Sequence, residues 1–460
     1  MTDVPLDRRQ FMKTTAGGTL LAGIGSKSAI ADDGVATGKT VYVGSSDGTL
    51  YAVDATTGEA VWAFTEPSDV VYSSPTVVDG IVYVGSHDGT MYAVDAESGE
   101  AVWSYNLSTT WPIRSSPTVV DGIVYFGADD GLTHALDAAT GERVWKSPEL
   151  FPTVFSSPAV VDGLVYVGSV DNNLYALDAA TGEEVWAFPV TIGGPFYSSP
   201  TVVDGTVYVG DPAGVLHAID GTTGEEEWAF STRSSIVHAS PTVVDGTVYI
   251  ESNNTLYAVN VATGKEVWAF PDARGLLSSS TVEGDTVYAG SYDDKTLYAV
   301  DTATGNPVWE FTEPSDPIFS SPTAVDGTVY VGSQDETLYA VDSATGDRVW
   351  AFIEPTGSVS SSPTVVSDPE NGHSIDSRVR QGTLGHHHEL DHTAPSNGAE
   401  PPELTIEEPE PVPTLPDSSD DDQLPFGISY EELAAFGAFS VIIYLAARAL
   451  GTDADRTENS

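Results

Sequence analysis

A tryptophan returns every 40 to 42 residues along most of this chain, at Trp62, Trp103, Trp145, Trp186, Trp228, Trp268, Trp309 and Trp350; only Trp111 stands outside the series. The unit around each is nearly a copy of the next, for example SSPTVVDGIVYVGSHDGTMYAVDAESGEAVWSY from Ser73 to Tyr105. It parses into four short strands. S-P-T-V-V comes first, then V-Y-V-G after an Asp-Gly turn that needs positive φ. L-Y-A-V-D follows an S-x-D-G-type turn, and V-W-A-F follows a T-G-E turn. Val, Tyr, Trp and Thr fill the strands while Gly, Asp and Asn hold the turns, as strand propensity and turn chemistry require.

Four strands in a period near 41 predict an all-β, eight-bladed β-propeller of four-stranded blades over 40–366, not a helical solenoid. The first unit opens at Val41-Tyr42-Val43-Gly44 and lacks an S-P-T-V-V strand. The last ends at Trp350-Ala351-Phe352, yet a further strand follows at 361–366. Pairing this strand with the first blade would close the ring and remove the open edges.

Each unit also carries Ala-x-Asp-x-x-x-Gly-x-x-x-Trp, as in Ala52, Asp54, Gly58 and Trp62, with Asn260 replacing Asp once. The Asp is expected to accept turn N–H groups, the Gly to take a left-handed conformation, and the Trp to pack between blades with its N–H bonded. This pattern resembles the tryptophan-docking motif of the PQQ-like quinoprotein repeats and covers about Thr40 to Val366. The resemblance implies either of two roles. Dehydrogenases of this fold hold pyrroloquinoline quinone (PQQ) with calcium on acidic and amide ligands, with a catalytic Asp, a stacking Trp and often a vicinal disulfide. The propeller scaffold subunit of the barrel-assembly machinery uses the same repeats without catalysis.

Nearly identical units place function where they differ, in the loop entering each blade and in the middle hairpin turn. The residues before each S-S-P block are Tyr72, Arg114, Phe155, Tyr197, His238, Leu277, Phe319 and Ser360. At one mouth of the ring, such aromatics with one Arg and one His suit a flat or anionic ligand or a peptide, or simply plug the channel. The chain has no Cys, so the vicinal disulfide is excluded. No acid or amide stands at these positions. Asp47, Asp88, Asp129, Asp130, Asp171, Asp293, Asp294 and Asp335 occupy the hairpin turns, where Asp is an ordinary turn former. The reading is therefore a non-catalytic binding or assembly platform without a cofactor, monomeric, with a protein partner or small ligand at the mouth. A PQQ- and calcium-dependent oxidoreductase is the alternative.

Seventeen Lys+Arg against 68 Asp+Glu leave a formal net charge of -51. That excludes a general nucleic-acid binder, which needs clustered cations. With 40% hydrophobic residues a core can still form, so the charge belongs on the surface, where molar salt would screen it. The excess of Asp is similar to that in proteins of halophilic archaea.

The two ends read as addresses. Arg8-Arg9-Gln10-Phe11, a mild apolar run and Ala29-Ile30-Ala31 resemble a twin-arginine export signal over 1–31. Leu433 to Leu450 is apolar except for Ser440 and Arg448; eighteen residues span roughly 27 Å, enough for a hydrocarbon core. It is expected to anchor the chain as a transmembrane helix, with 451–460 as a cytoplasmic tail and the propeller outside. The acidic, Pro-rich 367–430 reads as an extended stalk. Within it His386, His387, His388 and His392 are the candidate metal ligands, although a solvated linker is the favoured reading.

Overall fold

The computed structural model describes residues 38–107, 111–148, 153–190, 196–232, 239–252, 254–271 and 273–367. The expected export signal (1–31), the stalk beyond residue 367 with its histidines, the helix 433–450, the tail 451–460 and the rim residue His238 lie outside them. Among the described residues no helix is long and apolar enough to cross a membrane.

The described chain forms thirty-two strands in eight four-stranded antiparallel sheets. Blade I contains β1 (Thr40–Gly44), β2 (Leu50–Asp54) and β3 (Ala60–Phe64); blades II to VIII span 76–106, 118–146, 159–189, 201–231, 242–270, 281–311 and 323–352. The expected closure is present. The last strand, β32 (Thr364–Val366), completes blade I on the inner side of β1, with Thr40 opposite Val366 and Tyr42 opposite Thr364. The innermost strands contact one another in a closed circuit, β32 touching those of both blade VIII and blade II.

The Asp-Gly hairpins take the expected left-handed pair, φ 50° at Asp79 and 75° at Gly80, which matches the twist of the strands they join. In the T-G-E turn Asp54 Oδ1 accepts from the backbone N–H groups of Thr56 and Thr57. The equivalent hydrogen bonds from Thr140, made by side chain and backbone, hold the Asp137 carboxyl below its ordinary pKa. Such a turn carries its charge outside at little cost.

Each blade is fastened to the next through the Trp strand. Trp62 Nε1 donates to Ala96 O in blade II at 3.0 Å, and the Tyr42 hydroxyl donates to the same carbonyl. The bond recurs from Trp103 to Ala138, Trp145 to Ala179, Trp186 to Gly221, Trp228 to Val261, Trp268 to Thr302, Trp309 to Ser343 and Trp350 to Ala55. The indole face covers the turn glycine of that next blade. A Cβ on Gly99 would sit 2.7 Å from the Trp62 ring, at φ +69°, so both space and conformation demand glycine. The buried clusters lie accordingly between blades, as where Val82 and Tyr92 of blade II pack on Tyr42 and Leu50 of blade I.

Nearer the axis runs a second set of bonds. The N–H of Ser74 donates to Ser116 Oγ, and the pattern passes through Ser157, Ser199, Ser240, Ser279, Ser321 and Ser362 before returning to Ser74 Oγ, every step 2.8 to 3.0 Å. The repeated S-S-P thus closes a serine circle, satisfying inner-edge N–H groups that no further strand can reach.

Candidate functional site

The loops entering the blades and the middle hairpin turns meet at one end of the ring. Val71 N–H donates to Ser45 O of the blade I hairpin, and His87 N–H of the blade II hairpin donates to Val70 O. The varied residues of both loop types therefore share a neighbourhood.

Most hairpin acids here are occupied by the fold. Asp88 Oδ1 accepts Thr90 N–H, while Oδ2 accepts the Tyr92 hydroxyl and Ser68 N–H. Asp47 and Asp335 each cap an adjacent loop and accept a Tyr hydroxyl in the same way. Asp129 departs from the turn-forming role given to it in the sequence, because its neighbour Asp130 makes the turn bond, to Leu132 N–H. Asp129 Oδ2 instead accepts from Arg114 Nε at 2.9 Å. Burial pushes the Asp129 carboxyl up and Arg114 opposes this, with burial prevailing.

Arg114 also stands over the Phe155 ring, 5.7 Å from its centroid, and Phe155 stacks on Tyr197 at 5.5 Å and 15°. Three consecutive blades thus contribute one ladder of cation and rings. On its other flank, Tyr72 meets His87 edge-on at 4.9 Å. Burial, then the charge of Arg114, pushes the imidazole of His87 down to about 4, so it is neutral at neutral pH. Across the ring, Phe319 packs edge-on against Tyr292. The structure thus brings Arg114, Phe155 and Tyr197 into contact and sets Phe319 apart from them.

Sequence comparison of the units did not single out His87, Trp111 or Tyr292. The second residue after the strand glycine changes from blade to blade, as in Ser46, His87, Asp129, Val170, Tyr292 and Gln334, and that variation would have pointed to His87 and Tyr292. Trp111, half exposed in the loop before Arg114, was marked only by standing outside the repeat.

Eight blades, docked by repeated tryptophans and closed by a terminal strand, define a PQQ-type repeat propeller. The family model described as outer membrane protein assembly factor BamB matches residues 12–148, 108–195, 174–293 and 252–371, most of the chain, and the protein belongs to this family. Solved structures agree on the fold. BamB from Moraxella catarrhalis aligns at TM-score 0.56 and 20% identity, over 66% of this chain and 95% of that one. The computationally designed Ika8 protein aligns at 0.59 and 20%, over 65% and 92%. Quinohemoprotein alcohol dehydrogenase from Comamonas testosteroni aligns at 0.53 and 19%, over 65% and 70%. No curated protein matches the sequence.

Proposed function

We propose that this chain is a non-catalytic binding or assembly platform, exported by the twin-arginine route and held at the outer face of the membrane by 433–450. The observation that carries the binding role is a set of exposed aromatics spread around one end of an acidic molecule. Tyr72, Trp111, Tyr292 and Phe319 are each exposed by more than a third and belong to the loops and hairpins of that end. Exposed rings on loops at one mouth of the propeller support an interaction role there. The signal at Arg8-Arg9 and the apolar run at 433–450 support export and tethering.

The PQQ–calcium alternative asks for several free oxygens converging on one point. Among the described residues, no group of three or more His, Asp or Glu side chains is placed to hold a metal ion. Asp47 and Asp88 spend their oxygens on turn N–H and Tyr hydroxyl groups. These donor sets do not fit calcium. The deciding experiment titrates the full chain, folded in molar KCl, with PQQ and CaCl2, following heat and the quinone absorbance. Absence of binding is expected. Binding of one quinone per chain would overturn the platform reading in favour of a dehydrogenase.

A further inference from the structure

Arg114 is held in place by its surroundings. Asp129, only 6% exposed, holds it through Nε, and Phe155 supports one face. The guanidinium cannot sweep freely, yet its side chain keeps 31% exposure. Among the described residues nothing accepts from its two terminal nitrogens. Two buried polar atoms near it are also unmatched: Asp129 Oδ1 and His87 Nε2 have no hydrogen-bond partner there. A cation held in place with exposed, unmatched donors beside two stacked rings is built to take a group from outside.

We propose that this arc binds a carboxylate carried by an extended polypeptide segment next to an aromatic residue. The carboxylate lies on the terminal nitrogens of Arg114 and the aromatic ring on the Phe155–Tyr197 ladder. The inference rests on the platform reading and names the partner's chemistry.

A guanidinium fork matches a planar carboxylate in two parallel bonds. Asp129 already offsets one unit of charge, which suits a singly charged group over a doubly charged phosphate. The ladder draws on three blades, more than one small ring covers, whereas an extended chain rising about 3.3 Å per residue follows it with three or four residues. The net charge of -51 repels an acidic ligand at long range. Raising the salt from about 0.1 M to 1 M shortens the screening length from about 10 Å to 3 Å. Affinity is therefore expected to rise with salt, opposite to an ordinary surface ion pair.

The test is fluorescence polarisation on the full chain with a labelled, end-blocked peptide, Gly-Ser-Phe-Glu-Ser-Gly, and its Phe-Gln counterpart, with 3-phenylpropionate as a competing free acid. The Phe-Glu peptide is expected to bind about 10-fold or more tightly than the Phe-Gln peptide, as for loss of one charge-assisted contact. Arg114→Gln should erase the difference, and Phe155→Ala should weaken both peptides. Arg114→Gln strands the Asp129 carboxylate, so the Arg114→Gln/Asp129→Asn double variant is measured beside it, and the two-peptide comparison on the parent chain decides even if neither variant folds. Equal affinity for the two peptides, no binding of either, or 3-phenylpropionate binding as tightly as the peptide would each overturn the inference. Those outcomes leave the platform reading standing, whereas quinone binding would remove it.

Discussion

Trp350 donates its indole N–H to the carbonyl of Ala55 at 3.0 Å, across 295 positions of sequence. The same docking joins neighbouring units elsewhere, but here it joins the last blade to the first. Beside it, β32 adds only three paired residues to blade I. Closure thus combines that bond, a buried cluster in which Tyr51 meets Leu338 and Phe352, and one short strand.

The indole bond and the closing strand can be tested separately. Trp350→Phe keeps a ring against Gly58 but loses the bond, and it should cost about 1–2 kcal/mol. Val366→Pro should cost more, because the ring replaces the N–H that faces Thr40 in the closing ladder. Urea unfolding monitored by Trp fluorescence measures both. If Val366→Pro proved as stable as the parent, ring closure through β32 would not be what holds the blades together.

Blade VI departs from its siblings at three touching positions. Ala239 replaces the serine whose hydroxyl receives a glycine N–H in the other seven blades, as Ser73 receives that of Gly85. Glu251 replaces that glycine, and Ser280 stands in the next blade where the repeat has proline. Glu251 is fully buried, with neither oxygen nor the Ser280 hydroxyl in full hydrogen-bond geometry among the described residues. Burial pushes its carboxyl up to about 8, against the pull of the Ser280 hydroxyl, its own N–H and the Ser280 N–H.

The folded chain therefore holds a proton on Glu251 that the unfolded chain releases near the ordinary value of 4.5. Stability should fall as pH rises from about 4.5 through 8 and then level. Glu251→Gln should match the parent near pH 5 and exceed it by several kcal/mol above pH 8, in proportion to the burial of a carboxylate. Denaturant melts of both chains across that range decide it. A difference that stays flat with pH would show that Glu251 ionises without penalty.

The blades were legible because their determinants are local. Asp79-Gly80 sets a turn from two residues, and Trp62 with Gly99 fixes an interface by shape. Closure was legible from counting strands. The rim was legible only as a set of positions. That Arg114 would lie on Phe155 and take Asp129 as partner depends on loop paths from three blades, which repeat arithmetic does not carry. Asp129 and Asp130 look alike in sequence, and only the chain's path decides which one makes the turn bond. The coordinated change at Ala239, Glu251 and Ser280 was visible in the repeat, but its meaning depends on knowing that the three sites touch.

His217 stands where six other blades have tyrosine and blade III has His134. In most of those blades the tyrosine hydroxyl donates to the hairpin Asp, as Tyr339 does to Asp335 at 2.9 Å. His217 meets two acids instead, Asp211 Oδ2 at 3.2 Å from Nε2 and Glu226 Oε1 at 2.7 Å from Nδ1. Burial alone would lower its pKa, but the two carboxylates together outweigh burial and raise it above 6.5. The charged imidazolium donates to both. Its contribution is fully present below about pH 6.5 and is lost as pH rises through the raised folded value. Because the Glu226 side chain is 41% exposed, that contribution is held to about 1 kcal/mol. His217→Tyr restores the common residue and removes the titration. Its stability should gain on the parent by that amount as pH climbs from 6.5 toward 9, measured by urea unfolding at fixed high salt. Glu251 is the same in both chains, so its own slope cancels in the difference. A gap between the two chains that does not change over this range would mean that His217 stays neutral between its acids.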